Sequence, residues 1–273
     1  MQYNEVLYLP VFLRHYSKWF AHDSIFVIDH GSDQPFPSEL RNQYSAISVP
    51  RDRPFSEISR TRAIKHLCAS LLEYFDYGIY VDCDELLSLD ELDDRELAQS
   101  PVMYVAGFDV FYEEVAGAKR LHGLLNAEHC KPLIFRMVPD WTLAFHGSQF
   151  TPTLLKLPLA HVRYLYGDKS ASRLQQRTAI HEKMNREEKD RGIASHWGRG
   201  DEEYREFYMA VDELRQRGVR PTPFKPVDPT GIFNVDSRRA PDGTLSNYYF
   251  SKGTRFYTTP TIFDLTNHFN ALI

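Results

Sequence analysis

The chain has 273 residues, 42% hydrophobic and 14% aromatic, enough to bury a large core and too apolar for a chain disordered throughout. A formal charge of −5 with no long basic run offers no general attraction to nucleic acid, and no apolar stretch reaches the ~18 residues of a membrane span. Cys68, Cys83 and Cys130 form no CxxC pair, which fits free thiols in a reducing compartment.

The first half alternates helical and strand patterns, the signature of an α/β layered fold. Val6, Leu9, Leu13, Tyr16 and Phe20 form a helical stripe, and Pro10 places the start of the regular helix near residue 8. Ser24–Asp29 reads as a strand ending at the turn-forming His30-Gly31-Ser32-Asp33, and Ala46–Val49 as a second strand closed by Pro50. Residues 56–75 carry the clearest helical face, through Ile58, Ile64, Leu67, Leu71 and Phe75. Asp76-Tyr77-Gly78 ends that helix. Strand, helix and strand in such close order predict parallel neighbours joined by a right-handed crossover.

The next strand, 79–87, is the most informative stretch: Ile-Tyr-Val-Asp-Cys-Asp-Glu-Leu-Leu. An apolar run ends there in three carboxylates within four residues, a costly crowding unless a cation or donors offset it. Alternation along an extended strand would put Asp82 and Asp84 on one side and Glu85 on the other, in a supporting place. Two such oxygens suit Mg²⁺ or Mn²⁺ shared with a diphosphate. The plain alternative is a surface turn with solvated acids. Ligands of such sheets bind beyond the carboxyl ends of the strands, so Asp29 and Asp82 are expected to share a crevice.

Beyond a helix or loop at 89–99, Val102–Tyr112 and Pro132–Met137 read as strands and 154–166 as an apolar segment. A helix follows over Ser170–Asn185. Positions 185–203 are dense in charge and glycine and read as a loop or linker. A helix over 201–217 precedes a tail with no clear period, whose Tyr248, Tyr249, Phe250, Phe256 and Tyr257 are free to close over a ligand, pack on the core or mediate dimers. The chain divides at about residue 185.

Four motifs occur in order: Asn4-Glu5 before a helix, Leu13-Arg14-His15-Tyr16, Val-Ile-Asp-His-Gly-Ser-Asp (27–33), and Val-Asp-Cys-Asp-Glu-Leu-Leu (81–87). Lys131–Arg136, His146, His161 and Lys169-Ser170 continue the series. Over roughly residues 4–180 this resembles a family 2-like glycosyltransferase of the GT-A fold, in its Asp-x-Asp-Glu branch. The resemblance implies a Rossmann-type α/β/α sandwich with a mixed, mostly parallel central sheet over 1–185, and a helical or irregular C-terminal extension over 186–273. It implies transfer of a sugar from a nucleotide-sugar donor to a glycan, lipid-linked sugar or protein acceptor, with inversion. Relatives carry a complete first strand ahead of the Asn-Glu pair, where only three residues stand here. Either a strand lies upstream or the sheet begins differently.

In that reading Asp82 and Asp84 hold Mg²⁺ or Mn²⁺ against the donor diphosphate, and Asp29 contacts base or ribose. His161, with His146 as its rival, is the candidate third metal ligand; a hydrogen-bonded structural histidine is the commoner role. Lys169, Arg173, Arg60 and Arg62 are candidates for neutralising phosphate, against the plain reading of solvated helix residues. The general base is sought among carboxylates. Asp140 beside Trp141 comes first, and Glu113, Glu114 and Asp109 are rivals. Trp141 and Trp197 are candidate sugar-stacking rings, with core packing the commoner use. A cytoplasmic enzyme, peripheral at the inner face of a membrane or not, is expected, with oligomer formation open. The competing class is a non-catalytic GT-A-like carbohydrate-binding or scaffold protein. A phosphatase would carry its Asp-x-Asp on the first strand, and a nucleotidyltransferase would need acids about ten residues after Gly31-Ser32.

Overall fold

The computed structural model describes residues 3–33, 38–50, 54–90, 92–199, 202–228, 231–239, 245–251, 261–269 and 272. Helix α1 (Leu9–Tyr16) carries a proline in its first turn, where the missing N–H costs nothing, and buries Leu9, Leu13, His15 and Tyr16. Strands β1 (Phe26–Asp29) and β2 (Ser45–Ser48) pair in parallel as a separate two-stranded sheet. Helix α2 (Glu57–Leu71) starts at Ser56, whose side chain accepts the Ser59 N–H at 3.0 Å.

The remaining elements, in chain order, are β3 (Gly78–Ile79), β4 (Glu85–Leu87), α3 (Asp94–Leu97), β5 (Val102–Val115), β6 (Ala118–Leu125), β7 (Lys131–Phe135), β8 (Gly147–Ser148) and β9 (Leu154–His161). Then come α4 (Asp168–Glu182), α5 (Arg186–Asp190), α6 (Glu202–Gln216), β10 (Thr222–Pro223), β11 (Phe233–Arg239), β12 (Leu245–Ser251) and β13 (Ile262–Asp264).

The protein is α/β, with six α-helices and a large mixed sheet among the described residues. That sheet runs β10-β13-β6-β5-β7-β3, and β9 joins it by pairing with both β5 and β4. Strand β5 is its spine: fully buried from Val102 to Phe111, it pairs antiparallel with β6 and β7 and parallel with β9. The core is packed around it by Phe108, Val110, Leu86, Leu87, Leu121 and Leu159, all essentially inaccessible.

Three expectations are corrected. The large sheet is not mostly parallel, because its pairings are antiparallel except β10 with β13 and β5 with β9. The β2–α2–β3 segment is not a parallel crossover within one sheet: β2 pairs with β1, while β3 runs antiparallel to β7. The stretch 79–87 is not one strand. The chain leaves β3 after Ile79, turns through Asp82, Cys83 and Asp84, and re-enters the sheet at Glu85. Reciprocal bonds hold that turn: Asp82 N–H donates to Glu85 Oε2 and Glu85 N–H to the Asp82 carbonyl, both at 3.0 Å. The strand alternation expected for the carboxylates therefore does not apply.

The charged segment after 185 contains α5 and a 3₁₀ turn, Ser195–Arg199. The tail without a period folds largely into strands. Here β10 and β13 extend the main sheet through β6, and β12 pairs with both β11 and β8. Phe256 and Tyr257 lie outside the described residues. No helix among the described residues is long and apolar enough to cross a membrane.

Candidate functional site

A cavity of about 820 Å³ opens over the Asp82–Glu85 turn, and residues of α2, β5, β7, β9 and α4 line its walls. The turn presents Asp82 and Asp84 with their side chains 26% and 20% exposed, enough to reach a ligand. Asp82 Oδ1 accepts from the Arg60 guanidinium at 3.2 Å and from the Tyr80 hydroxyl at 3.1 Å. Burial works to raise its carboxyl, but Arg60 and Lys131 outweigh it and hold the group below the usual carboxylate range. Asp84 Oδ2 lies 3.2 Å from His161 Nε2. Burial again opposes ionisation there, and the His161 charge overcomes it, so Asp84 too is an anion. One oxygen of each aspartate, Asp82 Oδ2 and Asp84 Oδ1, takes no donor from the described residues.

His161 closes β9 and is backed by a buried carboxylate: its Nδ1 lies 3.2 Å from Asp109 Oδ1. Burial alone would lower the imidazole pKa, yet Asp84 raises it above the ordinary value, so the ring bridges two carboxylates as a cation. Asp109 sits on β5 opposite His161 of the parallel strand, a registration that follows from the β5–β9 pairing. Asn126 donates to its other oxygen at 2.8 Å. His129 Nε2 stands 3.4 Å and Arg163 Nε 3.5 Å from Asp109, and Arg163 donates to His129 Nε2 at 3.2 Å. Burial, then the charge of His161, keeps His129 neutral.

The connection carrying Asn126 and His129 presses on Gly107, where an added Cβ would meet the His129 Cβ and carbonyl oxygen at 2.3 Å. Glycine is required there by proximity. The same turn carries Glu128. Its carboxylate lines the cavity and makes no hydrogen bond or ion pair to the described residues, and burial raises its pKa. The Glu128 carbonyl accepts from His146 Nδ1 at 2.6 Å, and burial, then Lys131, lowers the His146 pKa to about 3. His146 is therefore neutral, with its Nε2 lone pair uncommitted to a proton.

Two arrangements offer themselves to a cation. Glu85, His129 and His161 lie with ligand atoms within 4.8 Å of one another. Both Glu85 oxygens are already engaged, one by the Lys131 ammonium and one by the Asp82 N–H, so a second cation there would meet the lysine charge. Asp82, Asp84 and His161, the set expected from the sequence, do not bring three ligand atoms within 4.8 Å of one another. Each aspartate has an uncommitted oxygen, and the imidazole has a carboxylate behind it, as metal-bound histidines do.

The sequence-derived candidates divide. Asp82, Asp84, His161, His146, Arg60, Arg173, Asp109 and Trp197 line the cavity; Asp29, Arg62, Lys169, Asp140 and Glu113 do not. Asp140 holds Lys65 at 2.6 Å and accepts from the Tyr248 hydroxyl, so its carboxylate is bound up beside α2. Glu113 lies near the far end of β5, 2.9 Å from His122 and 3.3 Å from Arg215. Asp29 caps its own turn, accepting from the Ser32 hydroxyl at 2.6 Å. Arg62 and Lys169 are exposed on their helices, Glu114 is exposed at the end of β5, and Trp141 is buried against Phe135 and Phe145. Glu128 and Arg177 belong to the cavity without having been singled out. A lone Glu in Asn-Ala-Glu-His and one basic residue in a polar helix carry no local signature.

Comparison with protein-family models, with curated proteins and with solved structures returns no match.

Proposed function

We propose that this protein is a metal-dependent glycosyltransferase of GT-A type that uses a nucleotide-sugar donor. The observation that carries the reading is the pair of ionised aspartates at a buried turn. Asp82 and Asp84 each offer an open oxygen to one cavity that also holds Arg60, Lys131 and Arg177. Such a site suits a diphosphate whose charge must be neutralised before it leaves. Asp82, Asp84 and His161 would hold Mg²⁺ or Mn²⁺, which supplies Lewis-acid neutralisation of the departing phosphate. Asp109 fixes the His161 ring through Nδ1 and so directs Nε2 to the side of Asp84.

Glu128 is the carboxylate best placed to take the acceptor proton. It lines the cavity without a donor among the described residues, and burial raises its pKa, which makes the carboxylate a stronger base. A cavity of about 820 Å³ holds a sugar nucleotide with room for part of an acceptor.

The test is a thermal-shift series with UDP, GDP, dTDP and CMP, each with and without Mn²⁺. A nucleotide and Mn²⁺ together are expected to raise the melting temperature more than either alone, and Asp84→Ala to remove that linkage while the protein stays folded. No shift with any nucleotide plus Mn²⁺ would sink the reading. Release of free sugar from the corresponding sugar nucleotides then separates an enzyme from a binding module.

A further inference from the structure

Helix α4 contributes Arg173 and Arg177, one turn apart on the same face, to the cavity wall. Arg173 is committed: its Nε donates to Glu5 at 2.7 Å and its Nη2 to the Tyr3 carbonyl at 3.3 Å. Arg163 is committed as well, 3.7 Å from Glu203 and 3.5 Å from Asp109. Arg177 makes no ion pair and no hydrogen bond to the described residues. Its guanidinium instead lies 5.1 Å from the centre of the Trp197 ring. That ring is fixed in place, because Thr178 donates to the Trp197 carbonyl at 3.0 Å and Phe55 packs on the indole at 5.3 Å. A half-buried guanidinium, oriented by a ring and left with unused donors, is an arrangement for planar recognition of an oxyanion. Burial, and then the neighbouring Arg163, depress the Arg177 pKa, and the charges of Asp84 and Glu203, which form no ion pair with it, only partly offset them.

We propose that Arg177, backed by Trp197, forms an anion subsite that binds a phosphate or carboxylate group of the ligand. The subsite rests on the same cavity as the donor reading but does not need a nucleotide. The anion has two sources, the diphosphate of a donor or an acidic group on a sugar acceptor. Three probes tell them apart by calorimetric titration against wild type, Arg177→Gln and Arg177→Lys: inorganic pyrophosphate, UDP with Mn²⁺, and D-glucuronate.

Arg177→Gln is expected to weaken the bound anion by about tenfold or more, and Arg177→Lys, which keeps charge but not the planar fork, by less. Sensitivity of pyrophosphate and UDP identifies the donor diphosphate; sensitivity of glucuronate alone identifies an acidic acceptor. Binding of pyrophosphate, UDP–Mn²⁺ and glucuronate that both Arg177 variants leave unchanged, with UDP–Mn²⁺ binding still abolished by Asp84→Ala, overturns the subsite and keeps the donor reading. Arg177-dependent binding of pyrophosphate or glucuronate with no UDP–Mn²⁺ binding does the reverse. Wild type that binds none of the three probes overturns the subsite outright.

Discussion

At the scale of single residues, the site is a set of charges assigned by their neighbours. Asp84, His161 and Asp109 form a relay in which a cationic imidazole joins two carboxylates. A metal ion bound by Asp84 and His161 must displace the Nε2 proton. Because the His161 pKa is raised, that displacement is harder at low pH, so Mn²⁺ affinity is expected to rise with pH up to the raised imidazole value. Titration calorimetry in buffers of different ionisation enthalpy would show one proton released; no proton release would exclude His161 as a ligand. Glu128→Gln is expected to lower turnover by about 10²–10⁴-fold while leaving the UDP–Mn²⁺ thermal shift intact. Turnover at the wild-type rate would remove Glu128 from the chemistry.

At the scale of elements, the site is assembled by short connections held against longer ones. The N-terminus of α2 is one such joint. Ser56 caps the helix and donates to Glu188 of α5, whose other oxygen accepts the Glu57 N–H at 2.7 Å. Buried Glu188 thereby supplies negative charge to a helix start and ties α5 to α2 beside the cavity. Ser56→Ala is expected to cost about 1 kcal/mol by losing the cap, measured by denaturant unfolding. A cost of only a few tenths would mean that Glu188 caps the helix alone. The second joint is Gly107. Gly107→Ala forces the turn bearing Glu128 and His129 away from β5, and a fall in melting temperature with weaker Mn²⁺ binding is the expected pairing. Unchanged metal binding would show that this turn does not position the site.

At the scale of the whole molecule, burying so much charge ties stability to pH. The Asp84 and Asp109 carboxyls have pKa values below their ordinary range despite burial, because the charges of His161 and Arg163 favour the anions. Below an unfolded carboxylate value of about 4, the unfolded chain binds protons that the native one refuses, so stability falls as pH drops. The raised His161 pKa works in the opposite direction: its contribution is complete below about 6.5 and is lost as pH rises through the folded value. Burial holds His129 and His146 neutral, so below about 6.5 the unfolded chain protonates them while the native one does not, and stability falls there as well. Without metal, the melting temperature is therefore expected to peak at about pH 6.5, and Asp109→Asn to flatten that profile. A melting temperature that climbs steadily through neutrality in metal-free buffer would contradict the charged relay.

Much of the local structure was legible in residue order. The helical face around Ile64 is α2, the pre-turn strand is β1, and the aspartate cluster lies at the cavity floor. These features depend on neighbours three or four positions apart, or on one turn, and periodicity and turn chemistry report such neighbours directly. The pairing of β3 with β7 and of β10 with β13 was not legible, since period-two alternation weakens where strands are two or three residues long. Strands β11 and β12 are seven residues each, but no buried face among the described residues imposes an apolar alternation on them. Site membership divided in the same way. Asp82, Asp84 and His161 stand at ends of elements and were readable as candidates. Asp140 and Glu113 had equally good local chemistry, yet Lys65 and Tyr248 claim one, and His122 and Arg215 the other. Glu128 and Arg177 face the cavity without an ion-pair or hydrogen-bond partner among the described residues. That availability is set by residues from β5, β9 and α4 brought together across more than forty positions, a separation at which no local pattern carries information.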